Sequence, residues 1–173
     1  MNFYITYGTV DYLNKLQKRF PQECMLLLQN EHTAVLMHET MGESVFQQPK
    51  KYEVIDKSGS IVSKKGFAVL NHIPVTDEGR PLFEYSFKER ARLIENQGGF
   101  VAIRVLKPLQ SDTYIILTLW EDEKSFTNWK TSQSFAKAHQ KNKHIGTDSA
   151  KKNIFPRPSY VKTYYVVKEE DET

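Results

Sequence analysis

Between Gly66 and about Lys168 the chain runs through strand-like and helix-like segments in an order that few folds accept. Phe67 to Val75 reads as a strand. Asp77-Glu78-Gly79-Arg80 is a loop, and Pro81 suits a first helical turn. Phe83, Phe87, Ala91 and Ile94 recur at helical spacing, so the pattern predicts an amphipathic helix from Pro81 to Glu95, ended by Gly98-Gly99. Phe100 to Lys107 and Thr113 to Glu121 are strands on either side of a turn. Asp122 or Glu123 opens a helix through Lys130. Ser132 caps a further short helix from Gln133 to about Asn142, and Ser159 to Val167 is the last strand. The order is β-α-β-β-α-β, an antiparallel sheet with its helices on one face. The other face is bare and must pair with another sheet, either from a second subunit or from the same chain.

The first 65 residues supply suitable material. Phe3 to Tyr7 is β-like. Thr9 caps a short helix carrying Tyr12, Leu13, Leu16 and Phe20, stopped by Pro21. Cys24 to Gln29 and Ala34 to Glu39 are apolar strands, and Val45-Phe46 and Tyr52 to Ile55 are shorter ones. The polar run from Asp56 to Ser60, followed by Ser63 to Gly66, reads as a turn-rich boundary. The expected fold is α+β: residues 1–65 complete a barrel within one chain, residues 66–168 form a ferredoxin-like domain, and residues 169–173 are an acidic tail. A self-completed barrel predicts a monomer.

Composition closes off other classes. With 39% hydrophobic and 12% aromatic residues there is enough apolar material for one good core. A net charge of +3 is too weak to argue for nucleic acid. Cys24 is the single cysteine, which excludes an internal disulfide and a cysteine-based zinc or iron–sulfur site. No run of about 18 apolar residues is present, so no integral membrane segment is expected. The opening Met1 to Tyr7 does not read as a signal peptide, and the expected location is the cytoplasm. Zinc, phosphate-loop, dinucleotide and serine-hydrolase motifs are absent.

Few residues remain to carry chemistry. In the strand Phe67 to Val75, alternation puts Asn71 on the apolar face of Phe67, Val69, Ile73 and Val75. It is either an amide bonded to nearby backbone or a donor aimed into a cavity. His72 falls on the opposite face and reads as a surface or helix-packing histidine. Phe126 and Trp129 share one helix face. Phe135 and His139 share another, so His139 points inward as a satisfied core residue or an axial ligand to haem iron. Lys137 and Lys141 flank it on the same predicted helix.

The segment Leu119 to His139, with Trp129 and His139 ten residues apart, resembles the signature of the Isd-type haem-degrading monooxygenases of the antibiotic biosynthesis monooxygenase (ABM) superfamily. The resemblance extends to Tyr4-Ile5-Thr6-Tyr7-Gly8-Thr9 and Gly79-Arg80-Pro81-Leu82-Phe83-Glu84, and is nearest to the longer, two-part bacillary form. It implies an ABM dimeric-barrel type fold in which haem is cofactor and substrate, O2 is consumed, and iron is released. His139 would be the axial ligand, Asn71 a hydrogen-bond donor on the other face, and Trp129 a bulky group that distorts the macrocycle. Electrons would come from an external donor, a reductase partner. The same superfamily offers three other expectations: a non-catalytic haem-binding or signalling protein, a haem chaperone, and a cofactor-independent monooxygenase of polyketides or quinols.

Overall fold

The structure, a computed structural model, describes residues 1–88, 93–132 and 154–168. Its strands are β1 (Asn2–Gly8), β2 (Cys24–Gln29), β3 (Ala34–Thr40), β4 (Lys50–Gly59), β5 (Phe67–Pro74), β6 (Phe100–Pro108), β7 (Thr113–Trp120) and β8 (Tyr160–Val166). The helices described in full are α1 (Val10–Arg19), α2 (Arg80–Phe87) and α3 (Glu123–Lys130). The strands close into one antiparallel barrel in the order β1-β3-β2-β8-β5-β7-β6-β4. The fold is therefore α+β and ferredoxin-like in its second half, with the barrel completed inside one chain.

Alternation decides what fills the lumen. Phe3 and Ile5 of β1, Leu26 and Leu28 of β2, Ala68 and Leu70 of β5, and Leu117 and Leu119 of β7 point inward and are buried. Their neighbours along each strand point outward. In the first half those outward residues pack under α1, through Tyr4, Leu27 and Leu36 against Leu13 and Leu16. In the second half they pack under α2 and α3, through Phe67, Val69, Val105 and Trp120 against Phe83, Phe87, Phe126 and Trp129. The first 65 residues thus cover the sheet face that the second half leaves bare. The seam between the halves is uneven: β4 and β6 pair from Tyr52–Pro108 to Gly59–Ala102, whereas β2 and β8 share only Leu28–Val166 and Gln29–Tyr165.

Local signals explain the helix starts. Thr9 accepts from the Tyr12 N–H at 3.2 Å, and Asp122 accepts from the Ser125 N–H at 2.8 Å. Gly99 sits at φ +80 where a Cβ would lie 2.0 Å from Ser125 Oγ, so glycine there lets the start of α3 approach β6.

Four expectations change. β4 runs on to Gly59, so Asp56 to Gly59 are strand and not turn: their backbone pairs with β6 after a bulge between Val54 and Asp56. Val45-Phe46 forms no strand; Phe46 is a buried plug against the outward face of the first half. Tyr12 is 56% exposed and lies off the buried stripe of α1. The predicted helix Pro81–Glu95 is interrupted: α2 stops at Phe87, where Lys88 turns to an extended conformation at ψ 126, and Leu93 and Ile94 are again helical. Residues 89–92, the helix predicted from Gln133, and the tail at 169–173 lie outside the described residues.

His72 is the main change in the interior. It is neither on the surface nor against a helix. It lines the lumen at 6% exposure, with its ring stacked on Tyr160 at 4.6 Å and its Nδ1 3.2 Å from the Leu70 carbonyl oxygen. Burial pushes its pKa down to about 4, aided by the positive charges of Lys162 and Lys50. A folded-state pKa below the ordinary value of 6.5 means that the unfolded chain binds the proton more readily. That stability is present above about pH 6.5 and is lost as pH falls towards 4. Relative to wild type, His72→Phe is expected to lose less stability between pH 7 and 4.5, by about 1–2 kcal/mol, in urea denaturation at the two pH values.

Candidate functional site

The outward face of β5, β6 and β7 is where the sequence places its chemistry. Asn71 stands on it between the buried side chains of Val69 and Ile73, opposite Ile116 on β7 and Val161 on β8. Val105 of β6 stands opposite Ile116, so Asn71 and Val105 lie in one row across the sheet, about 10 Å apart. The Asn71 Oδ1 is buried and, among the described residues, has no hydrogen-bond partner from backbone or side chain. A buried amide oxygen left alone costs about 1–3 kcal/mol, so this oxygen on an apolar face is a place where a polar partner would be stabilised. Rotation about its last torsion lets the same side chain offer an N–H donor in place of the oxygen.

Trp129 reaches this face from α3. Its ring centroid is 5.5 Å from that of Trp120 and 6.2 Å from that of Phe126. Trp120 is fully buried, donates its indole N–H to Thr118 Oγ1 at 3.0 Å, and lies opposite Phe67 of β5. Asn71 is four residues further along that strand, about 13 Å from Phe67. The structure therefore brings Asn71 and the Trp129 platform onto one face, separated by an apolar stretch of sheet. His139 and its flanking Lys137 and Lys141 lie outside the described residues. Among the described residues no group of three or more His, Cys, Asp or Glu side chains is placed to hold a metal ion.

A cavity of about 590 Å3 opens on the same side, between α2 and strands β4 and β6. That size suits a small molecule or cofactor. Its wall includes Val105, Ile55, Phe87 and Tyr85, with Asp56, Glu84 and Lys88 as charged members. Glu84 is held by Lys107 at 3.1 Å, and the buried Asp56 Oδ2 has no partner among the described residues. These residues were missed from sequence because their faces depend on the β4 bulge and on where α2 ends. The run Asp56 to Ser60 carries no periodic signal that would have placed Asp56 there.

Comparison with known proteins places this arrangement in a family. The model for the antibiotic biosynthesis monooxygenase family matches residues 66–141, which take in β5, β6, β7 and α3. A haem-degrading monooxygenase of Listeria monocytogenes is 31% identical over 131 residues, covering 75% of this chain and 77% of that protein. The chain belongs to the ABM family. The signal transduction protein TRAP of Staphylococcus epidermidis is 23% identical over 163 residues, with 92% of this chain and 97% of that protein covered. The solved structure of a major regulator of staphylococcal pathogenesis superposes with a TM-score of 0.77 at 24% identity, covering 98% of this chain and 100% of that one. That likeness shows that the fold is shared. Among the described residues, no helix of this ABM protein is long and apolar enough to cross a membrane.

Proposed function

We propose that this ABM protein is a haem-degrading monooxygenase of the two-part bacillary (HmoB) type. The observation that carries the reading is the unpartnered, buried Oδ1 of Asn71 on an otherwise apolar face, with Trp129 mounted on the same face. A flat, largely apolar group with a polar centre fits that face: the hydrocarbon rim meets apolar side chains and the centre meets the amide. Haem has that form, and when bound its iron supplies the oxidation chemistry with O2 and electrons from an external donor such as a reductase.

The residues that would hold haem are Asn71, Trp129 and His139, the last by binding the iron through its imidazole. The Asn71 amide orients a polar group over the apolar sheet. Trp129, braced by the buried Trp120, would offer a rigid indole to the bound ring. The apolar stretch between them excludes water. The relative from Listeria monocytogenes supports this reading, and the cytoplasm and a monomeric state are proposed with it.

TRAP and the staphylococcal regulator favour a second reading, a signalling protein without turnover. Retention of Asn71, Trp129 and His139 in this chain argues for the first. The deciding experiment is a haem titration of the purified protein, followed by ascorbate in air with catalase present. The expected result is a saturable Soret band that decays as free iron appears. A Soret band stable to reductant would establish a haem carrier or sensor, and no saturable band would remove haem from the account. His139→Ala is expected to weaken haem binding by at least about tenfold in the same titration, and light scattering is expected to give the mass of one chain.

A further inference from the structure

The lumen of the barrel opens at one end into a second cavity, of about 350 Å3, on the opposite side of β5 from Asn71. Its wall is made by the last inward-facing residues of four strands. Tyr7 comes from β1, Lys50 and Tyr52 from β4, His72 from β5, and Tyr160 and Lys162 from β8. Register brings them together: Lys50 stands opposite Ile5, Tyr52 opposite Phe3, and His72 opposite Tyr160. The turn between β6 and β7 closes the remaining side with polar groups.

The floor is flat and aromatic. Tyr52 and His72 are buried, and the imidazole and the Tyr160 ring are stacked within 8° of parallel. His72 is neutral at pH 7, so the floor carries no charge of its own.

The rim is cationic. Lys50 Nζ lies 5.2 Å from the Tyr7 ring centre, and Lys162 Nζ lies 5.8 Å from that of Tyr160. Lys51 joins them in the lining, which contains no carboxylate. Among the described residues none of these three lysines is in an ion pair. The carboxylate that follows Ser111 in the adjoining turn, Asp112, is taken by Arg157 at 2.8 and 2.9 Å. The lysine charge therefore stays uncompensated over an aromatic pocket whose low polarity strengthens its field.

We propose that the barrel mouth is a binding site for a small aromatic carboxylate. The ring lies among Tyr7, Tyr52 and Tyr160, and the carboxylate is held by Lys50 and Lys162. A cavity of this volume suits a ligand of one or two fused rings. Inorganic phosphate would satisfy the lysines and leave the aromatic walls unused. The site is separate from the haem site: Asn71 and His72 are neighbours in sequence whose side chains leave opposite faces of the sheet.

The test uses the full chain without haem, so it does not depend on the haem reading. 2-Naphthoate is titrated at pH 7 and followed by amide chemical shifts and calorimetry. The expected result is saturable one-site binding, with the largest shifts at residues 7, 50–52, 72 and 160–162. Binding should weaken about tenfold in the Lys50→Ala/Lys162→Ala double variant and fall with added salt. Lys15→Ala/Lys18→Ala, which removes the same charge from α1, should leave affinity unchanged. 2-Naphthol, with the same rings but neutral at pH 7, should bind at least about tenfold more weakly. No saturable shift at the mouth, an affinity indifferent to the Lys50/Lys162 pair, equal binding of 2-naphthol, or inorganic phosphate binding as tightly as 2-naphthoate would each overturn the proposal.

Discussion

Asn71→Ala is expected to slow ascorbate-driven loss of the Soret band by about 10²–10³-fold, the usual cost of deleting one preorganised hydrogen-bonding group from an active site. Haem affinity should change by less than about threefold, because the rest of the face is apolar and stays intact. Stability supplies an independent readout. An amide whose oxygen is bonded to protein would cost about 1–3 kcal/mol when removed. Among the described residues the Asn71 Oδ1 has no such partner, so the alanine variant is expected to melt at or slightly above the wild-type temperature. A variant that turned over haem at the wild-type rate would remove Asn71 from the chemistry. One that lost stability instead would return it to the role of an ordinary buried amide. Trp129 acts by bulk, so its effect should be graded by volume, with Trp129→Phe retaining more activity than Trp129→Ala.

The second large effect concerns the union of the two halves. Arg104 of β6 and Glu39 of β3 meet inside the barrel, with Nε and Oε2 2.5 Å apart and side-chain exposures of 3% and 9%. Arg104 also donates to the carbonyl oxygens of Ile103 at 2.8 Å and Ser58 at 3.1 Å. Glu39→Ala leaves a buried guanidinium without its counter-charge and is expected to destabilise the protein by about 3–5 kcal/mol. Replacing both partners with leucine removes the desolvation cost together with the attraction, so the double variant should recover most of that loss. Urea denaturation of wild type, both single variants and the double variant measures the difference. Single variants no less stable than the double variant would show that the pair does not act as a unit. Because β3 and β6 come from different halves of the chain, loss of the pair should also reduce the cooperativity of unfolding, seen as a lower m-value.

Much of this architecture was legible in local sequence. Phe67 to Val75 alternates, so the face of Asn71 follows from the geometry of any strand. Thr9 and Asp122 cap helices through contacts within three residues. The β-α-β-β-α-β order leaves an apolar sheet face that must be covered, and the strand-rich first 65 residues were the available cover. Phe126 and Trp129 share a helix face by spacing alone, and a family signature linked Trp129, His139 and Asn71 across a gap that periodicity does not bridge.

The remainder was set by contacts distant in sequence. His72 looked like a surface or helix-packing residue because alternation says which face a side chain takes, not what the rest of the chain brings to that face. Closure of the barrel put Tyr160 beside it and Lys50 across from it, and burial then made it a neutral, stacked imidazole. Asp56 to Gly59 are turn formers by composition, yet pairing with β6 satisfies their backbone and holds them extended. Arg104 and Glu39 are unremarkable charges in two separate strands until the lumen desolvates both. Which residues share a face follows from the order of the amino acids, because it depends on backbone geometry over a few residues. What each face meets is settled by closure of the barrel, because burial, field and hydrogen-bond partners arise from segments distant along the chain.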